Sequence, residues 1–385
     1  MRKAEKHHFH VTCAPGLEYV LAEELKELGI RKLRSGKGAV RFEGSLRMAL
    51  KVVMWSHVAS RVLVELTRIP AHDGDELYEE VMYLPWEERF QRDTTFAIEV
   101  IGTSRNLRHT HYTGQRIKDG ICDRLRNKWG MRPDVDTQRP QLLIVGRLYK
   151  NQCTLSLDLV GERLHRRGYR VDTVQAPLKE NLAAGILGLS GWDRIAPLID
   201  PMCGGGTIVI EGAMKAVRVA PGENLDPACT EWVWKGEECE AIWEELGEVA
   251  REKALEDCPA RIQASDINGK TLAAAQRNAR KAGVFREIEW KHQDALHLTL
   301  PQGPGWIVFN PPYGERLETP EDSELLLKNF AEVWLKSEGF HLAIIGPWEE
   351  LPEWFQRTPV KKVPLRNGKI DAYLYVFSPA DSPSR

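Results

Sequence analysis

An apolar strand, a glycine-rich turn and a second apolar run are the features that most limit the fold of this chain. They read "APLIDPMCGGGTIVIEGA" over residues 196–213. Glycines let a backbone approach a ligand closely, and the helix that follows offers free N–H groups. With Gly204 and Gly206 as its first two glycines, a dinucleotide fingerprint would need glycine or alanine where Val209 stands, and no Lys-Ser/Thr pair of a P-loop is present. The pattern predicts a ligand loop without a clamped pyrophosphate.

Helical and buried-strand patterns alternate from about residue 176 onward, which is typical of βαβ units in a parallel sheet. The patterns predict strands at 196–200, 261–265, 287–291, 305–309, 341–345 and 371–377. Polar residues follow four of these strands, and open α/β sheets bind ligands at that edge. Asp266 is placed to accept both hydroxyls of a ribose, and Asp294 to accept from an adenine amino group. Each could instead cap a helix.

The sequence Asn310-Pro311-Pro312-Tyr313 follows the strand pattern "GWIVF" directly. A plain turn needs one proline, usually beside glycine or aspartate. Two prolines and an aromatic residue at the exit of a buried strand therefore favour a site over a turn.

Together these segments resemble the class I S-adenosylmethionine-dependent methyltransferases. "DPMCGGGT" resembles their first motif, Asp266 their ribose acid and Asp294 their adenine contact, while "NPPY" resembles the motif of members that methylate an exocyclic amine or amide nitrogen. The resemblance implies S-adenosyl-L-methionine as the cofactor. It implies cofactor contacts from Asp200, Met202, Cys203, Gly204, Gly206, Thr207, Asp266, Ile267, Asp294, Ala295 and Asn310.

The amine-methylating motif also has a chemical rationale. An aryl amine is a poor nucleophile because its lone pair is delocalised into the ring. The side-chain oxygen of Asn310 and the carbonyl of Pro311 can accept its two N–H bonds and aim the lone pair at the methyl group. Pro311 and Pro312 offer no backbone donors, and Tyr313 can stack on the flipped base. Asn310, Pro311, Pro312 and Tyr313 are thus the expected catalytic residues. A cysteine nucleophile is not expected, because no cysteine follows Cys258.

The resemblance extends over nearly the whole chain. "CAPGLEYVLAEELKELG" and the segment at about 45–160 resemble the ferredoxin-like and THUMP domains of RNA-modifying enzymes, and "LRNGKIDAYLYVF" resembles the closing strands of the guanine-N2 methyltransferases among them. The stretch "AMKAVRVAPGENL…ACTEWVWKGEECEAIWEEL" resembles the insertion of the members that act on large-subunit (23S) rRNA. The resemblance is therefore to the THUMP-domain RNA guanine-N2 methyltransferases, most closely to those of 23S rRNA. The fold class is then α/β: a Rossmann-like class I domain with a mixed seven-stranded sheet, preceded by α+β ferredoxin-like and THUMP domains. We expect a ferredoxin-like region at 1–44, a THUMP domain at 45–160, a linker at 161–175 and the methyltransferase domain at 176–385.

Charge is distributed unevenly along the chain. The net charge is −2, yet residues 101–170 hold 15 basic and 6 acidic residues, and residues 221–260 hold 3 basic and 12 acidic ones. A basic module inside a near-neutral chain fits a polyanionic partner, although basic side chains also occur simply as solvated surface. We expect RNA as the partner. The predicted RNA contacts are Arg105, Arg108, Arg116, Arg163, Arg166, Arg167 and Arg170. In the acidic segment, we expect a helix with Trp232, Trp234 and Trp243 facing inward.

Cysteine usage and hydropathy bear on location. Seven scattered cysteines without a C-x-x-C pair argue against a disulfide framework and a zinc site. No apolar run is long enough to span a membrane, and residues 1–16 lack the apolar segment of a signal peptide. We expect a cytoplasmic protein without a metal or a membrane partner, and a monomer.

Several alternatives remain open at this point. The substrate could be a guanosine of tRNA instead of rRNA. Protein-glutamine and DNA-adenine methyltransferases also use "NPPY", but the basic module argues against both. A non-catalytic RNA-binding assembly factor could retain the cofactor fold.

Overall fold

The computed structural model describes residues 5–171, 178–301, 303–312 and 320–379. These residues form an α/β structure with two separate seven-stranded sheets, one from each half of the chain. The predicted fold class is confirmed. No helix in the described ranges is long and apolar enough to cross a membrane.

The N-terminal sheet has the strand order β2-β3-β1-β4-β7-β6-β5. All neighbouring strands are antiparallel except β5 and β6, which run parallel. Pairing of β4 with β7 joins the strands of the first 70 residues to those that follow, so the two regions share one continuous sheet. Its strands are β1 (His7–Thr12), β2 (Arg34–Gly36), β3 (Ala39–Gly44), β4 (Arg61–Pro70), β5 (Phe96–Ile101), β6 (Leu142–Tyr149) and β7 (Gln152–Asp158).

The helices of this half are α1 (Glu18–Glu27), α2 (Leu46–Trp55), α3 (Gly74–Tyr83) and α4 (Thr110–Trp129). Local chemistry sets several of their ends. The Asp73 carboxylate accepts hydrogen bonds from the first N–H groups of α3, and Gly130 ends α4 in the left-handed conformation. The apolar stripe of α4, with Ile117, Ile121 and Leu125, is buried as its spacing predicts.

The C-terminal sheet has the order β10-β9-β8-β11-β12-β14-β13. The first five strands in this order are parallel, and β14 is antiparallel to both of its neighbours, so the sheet is mixed. Its strands are β8 (Leu198–Asp200), β9 (Ile262–Asp266), β10 (Ile288–His292), β11 (Gly305–Phe309), β12 (Phe340–Gly346), β13 (Lys361–Asn367) and β14 (Ile370–Phe377). Six of the seven agree with the predicted strands to within a few residues, whereas β13 was not predicted.

Helices cover both faces of this sheet. Along β11, Ile307 and Phe309 pack in a cluster with residues of α9 and α10, while Val308 packs in the core on the opposite face. This alternation follows the two-residue period of a strand. The helices are α5 (Glu180–Ser190), α6 (Thr207–Ala216), α7 (Gly236–Lys253), α8 (Gly269–Lys281), α9 (Pro320–Leu335) and α10 (Leu351–Trp354).

A buried polar network joins the two halves. The Lys215 ammonium on α6 lies 2.7 Å from the Glu24 carboxylate on α1, and the same carboxylate accepts from the Ser56 hydroxyl. Beside it, Glu211 of α6 accepts from Tyr169 and lies 3.3 Å from His57 Nδ1. Removing one partner from such a buried pair leaves an uncompensated charge, so the network holds the two halves together.

The acidic segment 221–260 packs on the N-terminal half. Its contacts include the hydrogen bond from Cys229 N to Leu159 O and the ion pair between Arg47 and Glu245. The expectation of one helix carrying three inward tryptophans was wrong in part. Only Trp243 lies on α7; Trp232 and Trp234 precede it and stack on each other with ring centroids 5.3 Å apart.

Candidate active site

The glycine-rich loop connects β8 to α6 at the carboxyl edge of the C-terminal sheet. The Asp200 carboxylate, at the end of β8, accepts a hydrogen bond from Met202 N at 3.1 Å, and Cys203 N donates to Ser265 O. Gly206 has φ +80°, and a Cβ there would lie 3.0 Å from Ala275 Cβ. Gly204 has φ +54° and faces open space. Glycine therefore meets two needs, close packing against α8 and a left-handed backbone beside an open region.

Asp266 is the last residue of β9, and its carboxylate is held by two backbone donors. Gly204 N donates to one oxygen at 2.9 Å, and Asn268 N donates to the other at 2.8 Å. Each carboxylate oxygen keeps a further lone pair. The structure therefore joins the glycine-rich loop and Asp266, which are 62 residues apart in sequence. Ile267 beside it is an exposed apolar side chain.

Asp294 lies two residues beyond the end of β10. One carboxylate oxygen accepts from Leu296 N at 2.9 Å and caps the short 3₁₀ turn Ala295–His297. This is the capping role considered from the sequence, and it leaves the second oxygen 4.0 Å from His297 Nδ1. Ala295, the first residue of this turn, is buried.

Asn310 follows β11, the strand next to β8. Its side-chain oxygen Oδ1 is buried and accepts no hydrogen bond from any part of the chain that the structure describes. Pro311 is buried, and the carbonyl of Pro312 lies 3.5 Å from the Ser323 hydroxyl. Tyr313 lies outside the described residues. A buried acceptor without a donor is uncommon in folded proteins and calls for an explanation.

Two residues hold the glycine-rich loop in place, and the sequence analysis did not predict this role for either of them. The Arg170 guanidinium pairs with Glu180 at 3.0 Å and donates to the Thr207 hydroxyl at 3.3 Å, where α6 begins. The amide of Asn278 donates to Gly205 O at 3.1 Å, and its oxygen accepts from Val171 N. Asn278 is a polar residue on the buried face of α8, and this position could have indicated its role. No sequence pattern indicated that Arg170 contacts the loop.

Burial controls the protonation of the loop side chains. Loss of hydration raises the pKa of Asp200 well above its usual range, with Met202 N opposing the shift and the nearby Asp266 charge adding to it. Burial, followed by the Asp200 and Asp266 charges, also raises the pKa of the Cys203 thiol. The thiol is therefore protonated at neutral pH and is a weak nucleophile. This agrees with the expectation that cysteine does not attack the substrate.

The arginines predicted to contact RNA differ in exposure. Arg167 is buried, and its guanidinium donates to the carbonyl oxygens of Leu164 and His57. Because no RNA phosphate can reach it there, the prediction for Arg167 is corrected. Arg170 is half-buried and contacts Glu180 and Thr207, but its Nη1 atom has no hydrogen-bond partner in the described chain, so its RNA contact stays a prediction.

The other predicted arginines lie nearer to solvent. Arg116 is half-buried, pairs with Asp75 at 2.7 Å and lies over the ring of Tyr78. The exposed members are Arg105, Arg108, Arg163 and Arg166, of which Arg163 is 3.0 Å from Glu99. Within the described ranges, no group of three His, Cys, Asp or Glu side chains could hold a metal ion.

Family models match the chain over three segments. An RlmL ferredoxin-like domain matches residues 8–63, a THUMP domain matches 71–158, and an RMKL-like methyltransferase domain matches 167–375. The domain boundaries expected from the sequence remain predictions.

Curated relatives carry the name ribosomal RNA large subunit methyltransferase K/L. The protein of Psychromonas ingrahamii is 37% identical over 377 residues, which cover 96% of this chain and 50% of that protein. The protein of Magnetococcus marinus is 39% identical over 320 residues, which cover 81% of this chain and 44% of that protein. The chain thus spans about half the length of the curated relatives it matches.

Solved structures agree in fold over nearly the full chain. SMU.472, named as a candidate methyltransferase and crystallised with SAH, superposes with a TM-score of 0.86 at 29% identity, covering 99% of this chain and 100% of that one. A protein of Clostridium difficile 630, described as a possible methylase, gives 0.88 at 27% identity with the same coverage. The methyltransferase-domain match covers more than half of the sequence. The predicted resemblance is confirmed, and the chain belongs to the RMKL-like methyltransferase family.

Proposed function

We propose that this chain transfers a methyl group from S-adenosyl-L-methionine to the exocyclic N2 of a guanosine in RNA, with 23S rRNA as the substrate. The observation that carries the proposal is the buried Oδ1 of Asn310, which accepts no hydrogen bond within the described chain. An unpaired buried acceptor costs about 1–3 kcal/mol. A substrate amine would supply the missing donor.

The residues at this edge of the sheet fit the cofactor. The Asp266 carboxylate is oriented by Gly204 N and Asn268 N and has lone pairs left for the two ribose hydroxyls. Gly204 has no atom within 4 Å of the position that a Cβ would take, so a ligand can approach its backbone. When bound, S-adenosyl-L-methionine supplies an electrophilic methyl group on a positively charged sulfur. We propose that Ile267, Asp294 and Ala295 line the adenine end.

Asn310, Pro311 and Pro312 form a short lip at the end of β11, and this lip contacts the substrate in our proposal. We propose that Asn310 Oδ1 and the carbonyl of Pro311 accept the two N–H bonds of the guanine amine. Because Pro311 and Pro312 have no N–H, this lip is rich in acceptors. Phe309, which precedes it, is a fully buried apolar side chain, and we propose that such surroundings keep water from the amine. Rate then comes mostly from orientation and a dry site rather than from a strong base. Tyr313 keeps its predicted stacking role as a proposal.

RNA binding is assigned to the N-terminal half and the junction that follows it. The exposed Arg105, Arg108, Arg163 and Arg166 can reach phosphates, and the THUMP match covers residues 71–158. The choice of large-subunit rRNA rests on the names of the curated relatives. All seven cysteines are free thiols, which supports a cytoplasmic location. We retain a monomer as the expected state.

Nucleoside mass spectrometry tests the proposal. Fractionated rRNA and tRNA from a deletion strain are compared with RNA from the strain complemented by the wild-type chain or by Asn310→Ala. We expect N2-methylguanosine to fall by one residue in 23S rRNA and to return with the wild-type chain alone. Loss from tRNA would identify a tRNA enzyme instead, and unchanged RNA would favour a non-catalytic assembly factor.

A further inference from the structure

A half-open cavity of about 210 Å³ lies between the two halves of the molecule, away from the carboxyl edge of the C-terminal sheet. Its walls come from α1, α2, the turn after α5, and the carboxyl ends of α6 and α7. Five cationic side chains line it: Lys51, Arg194, Lys215, Arg218 and Lys253.

The cavity has fewer carboxylates than cations. Glu24 and Glu27 are its acidic residues, and each is already paired: Glu24 with Lys215 at 2.7 Å and Glu27 with Arg194 at 3.1 Å. The other three cations have no carboxylate within ion-pair distance in the described part of the chain. Lys51 donates to Leu28 O at 2.8 Å, and the Lys253 ammonium lies 5.7 Å from the centre of the Trp55 ring. Three positive charges are therefore left without counter-charge.

Arg218 stands at a position whose backbone favours glycine. Its φ is +58°, and Val219 N donates to Met214 O at 2.9 Å, which closes α6 in a Schellman motif. A left-handed residue at such an end is usually glycine. Helix dipoles favour basic residues near carboxyl ends, but they do not explain an arginine at the left-handed position itself. Arg194, with φ +70°, also lines the cavity.

The positive charges around the cavity contribute to lowering the pKa of two groups, one buried and one half-buried. Burial, followed by the Lys215 charge, lowers the pKa of His57 well below its usual range. Burial, followed by the charges of Lys253 and Arg47, lowers the pKa of Lys51. An anion in the cavity would offset the part of each pKa shift that comes from the neighbouring positive charges.

We infer that this cavity is a binding site for a phosphate group. Guanidinium and ammonium groups are the side chains that recognise phosphate, and a phosphate carries the charge and acceptor oxygens to engage Lys51, Arg218 and Lys253 together. The phosphate belongs to the RNA backbone or to a small phosphorylated molecule. The site is separate from the proposed cofactor loop, because Arg218 follows the opposite end of α6, which is 10 residues and roughly 15 Å long.

The first test is thermal unfolding of the full chain in sodium phosphate and in sodium chloride at equal ionic strength. A ligand that binds the folded state alone raises the midpoint with its concentration. We expect phosphate to raise the wild-type midpoint above that in chloride. Arg218→Gly should be at least as stable as wild type in chloride, because glycine suits the left-handed backbone, and should bind phosphate about tenfold or more weakly.

Lys253→Met should also weaken the phosphate effect, whereas the control Lys336→Met, an exposed lysine beyond α9, should keep it in full. The inference is overturned if phosphate stabilises the wild type no more than chloride does. It is equally overturned if Arg218→Gly retains the whole phosphate response.

A second arm identifies the source of the phosphate. The affinity for a single-stranded RNA is measured at several salt concentrations for the wild type, Arg218→Gly and Lys336→Met. If an RNA phosphate occupies the site, Arg218→Gly lowers affinity and reduces the salt slope by about 1. If the RNA affinity is unchanged while the phosphate response is lost, a small phosphorylated molecule is the ligand.

Discussion

Asp266→Ala should weaken cofactor binding without unfolding the protein. The substitution removes the acceptors for Gly204 N and Asn268 N, at 2.9 and 2.8 Å, together with those proposed for the ribose. Losing a hydrogen bond to a charged group costs about 1.5–3 kcal/mol, which is roughly 10- to 100-fold in Kd. Isothermal titration with SAH measures the change. Asp266→Asn should not restore affinity, because its NH₂ group would face one of the two backbone donors.

A matched control separates this effect from general damage to a turn. Asp136 also accepts from two backbone N–H groups, those of Gln138 and Arg139, but it lies in the N-terminal half. Asp136→Ala should bind SAH as tightly as wild type. An unchanged affinity in Asp266→Ala, or an equal loss in both variants, would refute the assignment of Asp266 to the ribose.

Other predictions concern RNA and pH. Arg105→Gln and Arg108→Gln should each lower RNA affinity and reduce its salt slope by about 1, as measured by filter binding. Arg167→Gln should instead lower the midpoint of thermal unfolding. The reverse pattern would refute the inference that exposed arginines bind RNA and the buried one stabilises the fold. The hydrogen bond from Arg124 is the largest cause that lowers the pKa of Glu87, to about 2 from an ordinary 4.5. Because the folded-state pKa is depressed, the pair stabilises the fold above pH 4.5 and loses this effect as pH falls towards 2. Wild type and Arg124→Met should differ in unfolding free energy by on the order of 1 kcal/mol at neutral pH. This difference should shrink as the pH falls from 4.5 towards 2. A difference that stays constant over this pH range would contradict the role of the Arg124–Glu87 pair.

The sequence predicted the C-terminal strands well because five of them are short, largely buried runs bounded by polar or glycine residues. Asp266 and Asn310 could be placed at the ligand edge because parallel strands bring their carboxyl ends together. β13 escaped prediction because "KKVPLRN" is polar and contains Pro364, as edge strands commonly do.

Contacts between residues that are far apart in the sequence could not be predicted from it. Arg167 looked like part of a basic cluster, yet its partner His57 is 110 residues away, and no local pattern marks it as buried. The link between Arg170 and Thr207 spans 37 residues, with α5 and β8 between them in the sequence. Such pairings follow from how α5, α6 and the junction pack, which neither composition nor periodicity encodes. The stacking of Trp232 on Trp234 before α7 is of the same kind.

Methyl transfer by Asn310→Ala tests the central claim most directly. Purified wild type and variant are incubated with labelled S-adenosyl-L-methionine and an unmodified 23S rRNA transcript, and the product nucleoside is identified. The account predicts N2-methylguanosine from the wild type and turnover lower by about two orders of magnitude or more in Asn310→Ala, with SAH affinity changed much less. A near wild-type rate in the variant, or a methylated product other than N2-methylguanosine, would contradict it.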